Sequence, residues 1–270
     1  MFQSDAPAKP PLFTYPPPLD APFQALVSIP HSGEEVPEVF LRHLTADAAA
    51  RREDVDFKVD ELVDIPTLQR AGIGVLVAHV HRVCVDLNRA EENCVLFWRE
   101  NTKGVPLVAL APSAEETRNF IDRYHRPYFE VLGSLLRDLE RLVPGPVPMV
   151  DLHSMPSAPT AYHMKQNPNQ KTHRADFCVS DQRGKTCTPA FIARFAEALA
   201  LGGHEVAIND PYIGGYVTTF VNGFRTNNIQ IEINRRCYMD EERKLMVAGK
   251  AQPLRAHLTT CLVRGLTEKL

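Results

Sequence analysis

Short apolar runs separated by longer stretches with helical spacing recur from residue 25 to the end of the chain. Ala25–Ile29, Gly74–His81, Pro148–Leu152, Asp176–Val179, Glu205–Ile208 and Ile229–Ile233 read as strands. Asp56 reads as the cap of a helix carrying Val59, Leu62, Val63 and Ile65 on one side, until Pro66 disturbs it. Ser113-Ala114-Glu115-Glu116 is a capping box that opens a long helix to about Leu142. Thr188-Pro189 supplies a cap and a first-turn proline for a helix ending near Gly202-Gly203. From Asp240 to the C-terminus the pattern is helical again, interrupted around Pro253. This alternation predicts a layered α/β domain. The polar stretch Ser157–Thr172 reads as a long loop leaving a strand end, suited to be the wall or lid of a site.

No internal repeat and no linker-like shift in composition divides the chain, which predicts a single domain over residues 23–270. Ahead of it, residues 1–22 form a proline-rich arm with Pro7, Pro10, Pro11, Pro16, Pro17, Pro18 and Pro22, whose fixed φ and missing N–H groups disfavour helix and central strand. Composition then works by exclusion. A chain of 270 residues can bury a full core, and its net charge of -3 provides no basic surface for a phosphate backbone. No apolar run reaches the roughly 20 residues that span a bilayer, and Met1–Asp20 lacks the apolar core of a signal peptide. The expectation is a soluble, cytoplasmic protein whose partner is a small molecule, with neither nucleic acid nor membrane involved. The 6 cysteines show no CxxC spacing, which predicts reduced thiols with no thiolate metal site.

Candidate chemistry clusters where predicted strands end, the place α/β folds put ligands. His31 follows Ala25–Ile29 in Ile29-Pro30-His31-Ser32-Gly33, and His153 stands in Asp151-Leu152-His153-Ser154. Taken singly, each histidine reads more readily as a hydrogen-bonded structural residue than as a ligand. Together with one carboxylate they make the three-ligand set of an open catalytic zinc site. Spacing leaves that carboxylate undecided: Glu34 lies three residues after His31, and Asp56 and Asp60 are four apart and share a helix face if the helix forms. The run Val80–Arg89 interleaves apolar residues with Arg82, Asp86 and Arg89, either as a water-facing strand edge or as planar forks for a carboxylate and a developing oxyanion. Glu232, flanked by Ile231 and Ile233, is a carboxylate inside a β-branched run. Such a group needs a partner or a raised pKa, as a general base beside a metal-bound water would have.

Taken in order along the chain, these elements resemble the N-formylglutamate amidohydrolase family. Its pattern of P-H-S-G, an aspartate pair around V-D-x-L, R-x-x-x-D-x-N-R, D-x-H-S, G-G-Y-x-T and a late glutamate strand followed by Y-M appears at Pro30–Gly33, Asp56 with Val59–Leu62, Arg82–Arg89, Asp151–Ser154, Gly214–Thr218, and Glu232 with Tyr238-Met239. The family is distantly similar to zinc carboxypeptidases and zinc-dependent deacylases of acyl amino acids. The resemblance implies a three-layer α/β/α sandwich of the phosphorylase/hydrolase-like kind, with a mostly parallel or mixed central sheet. It implies one zinc held by His31, His153 and a carboxylate, for which the family's aspartate pair favours Asp60, with Glu34 or Asp56 as alternatives. By the same analogy Arg82 polarises the scissile carbonyl, Asn88 and Arg89 hold the substrate carboxylate, Gly215 and Thr218 offer a backbone N–H and a hydroxyl, and Glu232 activates water. The activity implied is hydrolysis of N-formyl-L-glutamate to formate and L-glutamate. The alternatives are a zinc enzyme for another N-acyl amino acid or a peptide, and a non-catalytic binding protein of the same fold. A binuclear manganese hydrolase would want D-x-H-x-D, and Asp151-Leu152-His153-Ser154-Met155 lacks the second aspartate.

Overall fold

The computed structural model describes residues 13–19, 21–45 and 48–268; most of the proline-rich arm lies outside them. Seven strands, β1 (Phe13–Thr14), β2 (Ala25–Ile29), β3 (Ile73–Ala78), β4 (Val147–Met155), β5 (Phe177–Ser180), β6 (Val206–Ile208) and β7 (Thr226–Asn234), make one mixed sheet in the order β1-β3-β2-β4-β7-β5-β6. The central four run parallel, β1 runs antiparallel to β3, and β5 and β6 run against β7. The helices are α1 (Ile65–Arg70), α2 (Ala114–Phe120), α3 (Arg126–Leu142), α4 (Ala161–Gln166), α5 (Pro189–Ala200), α6 (Tyr216–Val221) and α7 (Ala248–Thr267), besides short turns. Among the described residues no helix is long and apolar enough to cross a membrane.

Strand alternation assigns the two faces. Val27, Val150, Ile229, Ile231 and Ile233 pack with Leu68 of α1, Phe195 of α5 and Leu258 of α7 in one core. Leu26, Leu76, Val147 and Met149 pack on the other side with Leu132 and Leu136 of α3 and Val217 and Val221 of α6. Helices therefore cover both faces, and the expected α/β/α layering is present. On the second face the apolar side chains stop at Met149. Continuing with the period of two, the next side chains on that face are Asp151 and His153 on β4, beside Gln230 and Glu232 on β7. On this face β4 is apolar along its first half and polar toward its carboxyl end.

The predicted strands are all present, Ala25–Ile29 with the expected bounds and the others with ends shifted by a few residues. Two of the shifts matter. β4 runs on through Met155, so His153 lies within a strand rather than after one, and β7 extends from Thr226 to Asn234. At the arm, Phe13 and Thr14 pair with Ala78 and Val77, and the Pro16 carbonyl accepts the Val75 N–H at 3.2 Å, so this end of the arm adds an edge strand, a position proline tolerates.

Four helix expectations need correction, the first being the interruption around Pro253, through which α7 runs unbroken. No helix runs from Asp56: Lys58 adopts a left-handed φ of 56°, and only the 3₁₀ turn Val59–Leu62 follows. Pro66 does not end a helix but sits in the first turn of α1, where its missing N–H costs nothing and the Asp64 side chain caps Thr67. The segment after Asp240 first forms a hairpin, Met239–Asp240 with Leu245–Met246, before α7 begins at Ala248; the Asp240 Oδ1 accepts the Glu242 and Arg243 N–H groups and turns the chain. The long helix from Ser113 opens with the expected reciprocal cap, then widens into a π turn at Ile121–His125 just before Pro127, which cannot donate to a regular helical ladder.

Candidate active site

A cleft of about 370 Å³ opens at the carboxyl ends of β2, β4 and β7. Its floor is built by three segments. Pro30 carries the chain off β2 and places His31, 2% exposed, over the sheet. The Asp56 N–H then donates to the His31 carbonyl at 3.1 Å, which lays the Val55-Asp56 segment across that strand end. His153 and Glu232 are register partners on β4 and β7, so both side chains rise from the same face.

Among the described residues one set of potential metal ligands converges, His31, Asp56 and His153, all buried, with one ligand atom from each within 4.8 Å of the others. The outer ring nitrogens are already engaged: His31 Nε2 lies 2.7 Å from Asp86 Oδ1, and His153 Nε2 lies 2.8 Å from Asp151 Oδ2. A carboxylate on one ring nitrogen makes that nitrogen the N–H donor and leaves the other with its lone pair free, the arrangement that orients metal-binding histidines. Both Nδ1 atoms face Asp56 Oδ2, at 3.6 Å from His31 and 2.9 Å from His153. Bonds of ~2 Å around a tetrahedral ion hold ligand atoms roughly 3.3 Å apart, and the two observed distances bracket that value. His31 Nδ1 is buried without a hydrogen-bond partner, as a nitrogen reserved for an ion would be. The residues fit a divalent metal.

Electrostatics favour a cation here. Burial alone would raise the Asp56 carboxyl, but the hydrogen bond to His153 and the nearby His31 hold it well below the usual carboxylate range. Burial likewise works against ionised Asp86, and the Arg82 and His31 charges overcome it. His153 is pulled the other way: burial opposes its charged form, while Asp151 and Asp56 raise its pKa well above the ordinary imidazole value. A set that binds a proton this strongly offers the same negative potential to a metal ion, which the imidazoles would meet in neutral form. Glu232 is 7% exposed and takes a 2.8 Å hydrogen bond from Gln230 Nε2. Burial, opposed by the His153 charge, pushes its carboxyl up to about 7.

The other expected residues divide. Arg82, Asn88, Arg89 and Gly215 line the cleft. Arg82 is braced by Asp86 Oδ2 at 2.9 Å and the Asp54 carbonyl at 3.0 Å, while its Nε has no partner. Arg89 lies 4.1 Å over the Phe97 ring and has no carboxylate partner among the described residues. Asn88 Oδ1 accepts the Val217 N–H at 3.0 Å, and a Cβ on Gly215 would meet the Asn88 side chain at 2.2 Å, so only glycine lets these two segments meet. Thr218 is not on the cleft wall; its hydroxyl donates to the Gly215 carbonyl at 2.8 Å and accepts from Gln182. Glu34 pairs with Arg52 outside the cleft. Asp60 is not brought to the histidines. The left-handed Lys58 breaks the assumed helix, buried Val59 and Leu62 anchor the turn, and Asp60 faces a separate groove beside Ile65 and Arg255. There burial raises its carboxyl, with Ser32 hydrogen-bonded to it.

Three contributors lacked a role in the sequence reading. Asp151 was legible in principle, since it stands two residues before His153 on one strand and must share its face. Asp86 stands in the R-x-x-x-D-x-N-R element, but nothing in the spacing pointed to His31. It reaches His31 across 55 positions, and it also accepts from Trp98 Nε1 at 2.8 Å and the Asn88 N–H at 2.9 Å. Arg235 donates to the Glu53 and Val55 carbonyls, each at 2.8 Å, and so pins the segment that carries Asp56. The stretch expected to be a long loop instead carries helix α4, and it forms one wall through Tyr162, His163, Gln166 and Gln170.

Comparison with known proteins agrees with this architecture. Residues 23–239 match the family model described as N-formylglutamate amidohydrolase. N-formylglutamate deformylase of Pseudomonas aeruginosa is 27% identical over 258 residues, covering 91% of each chain; that of Pseudomonas putida is 27% identical over 231 residues, covering 80% of this chain and 82% of its own. The crystal structure of N-formylglutamate amidohydrolase from Ralstonia eutropha superposes with a TM-score of 0.81 at 27% identity, over 93% of this chain and 96% of that one. A gene product of Agrobacterium tumefaciens, 14% identical with a TM-score of 0.60 over 88% of this chain and 90% of its own, shares the fold.

Proposed function

This chain belongs to the N-formylglutamate amidohydrolase family, and from that premise we propose that its cleft hydrolyses N-formyl-L-glutamate to formate and L-glutamate with the help of one zinc ion. The protein is a hydrolase acting on an amide. The observation that carries the finer reading is the convergence of His31, Asp56 and His153, with their outer nitrogens fixed by Asp86 and Asp151, beside a buried Glu232.

An amide resists attack because its carbonyl is weakly electrophilic and its amine is a poor leaving group. Held by His31, Asp56 and His153, the ion would supply Lewis acidity, polarising the carbonyl and lowering the pKa of a water toward roughly 7. Glu232 takes the proton from the attacking water, whose oxygen bonds to the formyl carbon. It then returns a proton to the departing nitrogen as the C–N bond breaks. Its buried position keeps its basicity near neutrality, where both transfers are feasible. Arg82 lines the cleft beside the cluster, and its guanidinium charge would stabilise the negative charge that develops on the carbonyl oxygen. Arg89, over the Phe97 ring and without a carboxylate partner among the described residues, and the Nδ2 of Asn88 hold the substrate carboxylate. Asp86 couples the two ends of this arrangement, since one carboxylate binds His31, Arg82 and the Asn88 backbone.

The test is metal analysis of the purified protein together with formate release from N-formyl-L-glutamate. About one zinc per chain, and turnover abolished by a chelator and restored by zinc, are expected. Turnover undiminished by complete metal removal would contradict the reading.

A further inference from the structure

Tyr212 and His163 line the cleft without a part in the chemistry above. The Thr160 N–H donates to His163 Nδ1 at 3.2 Å, and the Thr160 hydroxyl lies 2.8 Å from the same nitrogen. In a neutral imidazole a nitrogen that accepts carries no proton, so the ring proton sits on Nε2. Burial, reinforced by the Arg174 charge, lowers His163 to about 4, so the ring stays neutral around neutral pH. His163 Nε2 lies 3.1 Å from the Tyr212 hydroxyl oxygen and donates to it. Arg174 Nη1 donates to that oxygen as well, at 3.3 Å. Arg174 is itself anchored by the Pro156 carbonyl and Gln170 Oε1, each at 3.1 Å. With two donors on its oxygen, the phenol keeps its own proton to give, and among the described residues no acceptor takes it. Burial also pushes the phenol up to about 12, so the proton remains.

We propose that the Tyr212 hydroxyl donates to a carboxylate oxygen on the amino-acid half of the bound substrate, and that His163 is a positioning residue whose Nε2–H fixes the direction of that proton. The inference rests on the reading of the cleft as an acyl-amino-acid site. The amino-acid half is indicated because the Tyr212 carbonyl is held by Ser180 at 2.7 Å on β5, the strand paired with the Glu232 segment of β7, and Gly215, three residues on, meets Asn88. Glu232 has to reach the leaving nitrogen from that side, whereas the role proposed for Arg82 is at the scissile carbonyl. A fixed donor to a carboxylate is a charge-assisted bond and acts in the ground state, so it belongs to KM more than to kcat.

The experiment combines steady-state kinetics on N-formyl-L-glutamate with calorimetric binding of the product L-glutamate, using the full-length, zinc-loaded protein. Tyr212→Phe should raise KM and weaken L-glutamate binding about 10-fold while kcat stays within about three-fold. His163→Ala should raise KM by about 3- to 10-fold in the parent and have no further effect in the Tyr212→Phe background, because its influence passes through that hydroxyl. Parent-like L-glutamate binding by Tyr212→Phe would overturn the donor assignment, and additive effects of the two changes would make His163 merely structural. If the parent neither hydrolyses N-formyl-L-glutamate nor binds L-glutamate, the functional reading itself fails and this proposal falls with it; turnover by the parent with unchanged binding in Tyr212→Phe fails the proposal alone.

Discussion

Glu232 on β7 is the direct register partner of His153 on β4, so the candidate base and a candidate ligand project side by side from one face of two parallel strands. Neither position depends on a loop, and the hydrogen-bonded ladder fixes their spacing. A base held this way can act on a water at the metal without being a ligand. Glu232→Gln, which keeps size and hydrogen-bonding reach and removes basicity, should retain metal and substrate binding and lower kcat by at least about 10²-fold. Kinetics with parallel metal analysis checks this; near-parental kcat, or loss of metal, would transfer the role to another acid.

Asp86 ties His31, Arg82, Trp98 and the Asn88 N–H to one buried carboxylate. Asp86→Asn keeps the shape but removes the charge that favours the Nε2–H tautomer of His31. Metal affinity should fall about 10- to 100-fold, the usual scale for residues that orient a ligand. Competition with a chromogenic chelator measures it, and unchanged affinity would reduce Asp86 to a structural hub.

Arg89 lies 4.1 Å over the Phe97 ring and has no carboxylate partner among the described residues. Arg89→Lys keeps the charge and loses the planar fork and the stacking, so KM for N-formyl-L-glutamate should rise by about 10-fold with kcat little changed. A substrate whose carboxylate is replaced by a neutral amide should show no such rise. An equal rise for both substrates would remove the contact.

The sheet and much of the cleft were legible in the sequence because burial on both faces turns parallel strands into short apolar runs. Ala25–Ile29 appears as read, and His31, His153, Arg82, Asn88, Arg89 and Glu232 all reach the cleft. The misreadings share a cause: a backbone conformation that residue spacing does not encode. Choosing between Asp56 and Asp60 required knowing that Lys58 is left-handed, since a continuous helix would have put both on one face. Pro66 and Asp240 were read by helical periodicity, and each instead begins or delays an element through local capping and turn bonds. Thr218 is polar beside a site, yet its hydroxyl is consumed within its own helix turn. Asp86 and Arg235 act across 55 and about 180 positions, distances at which only the folded chain carries information.

The central claim is that Asp56, with His31 and His153, makes the metal site. It is tested most directly by metal stoichiometry in Asp56→Asn and Asp60→Asn, each purified, dialysed against a weak chelator and checked for folding. The account predicts that Asp60→Asn retains about one zinc per chain while Asp56→Asn loses it, because an amide oxygen is a far poorer ligand than a carboxylate between two imidazoles. Retention by Asp56→Asn together with loss by Asp60→Asn would contradict it.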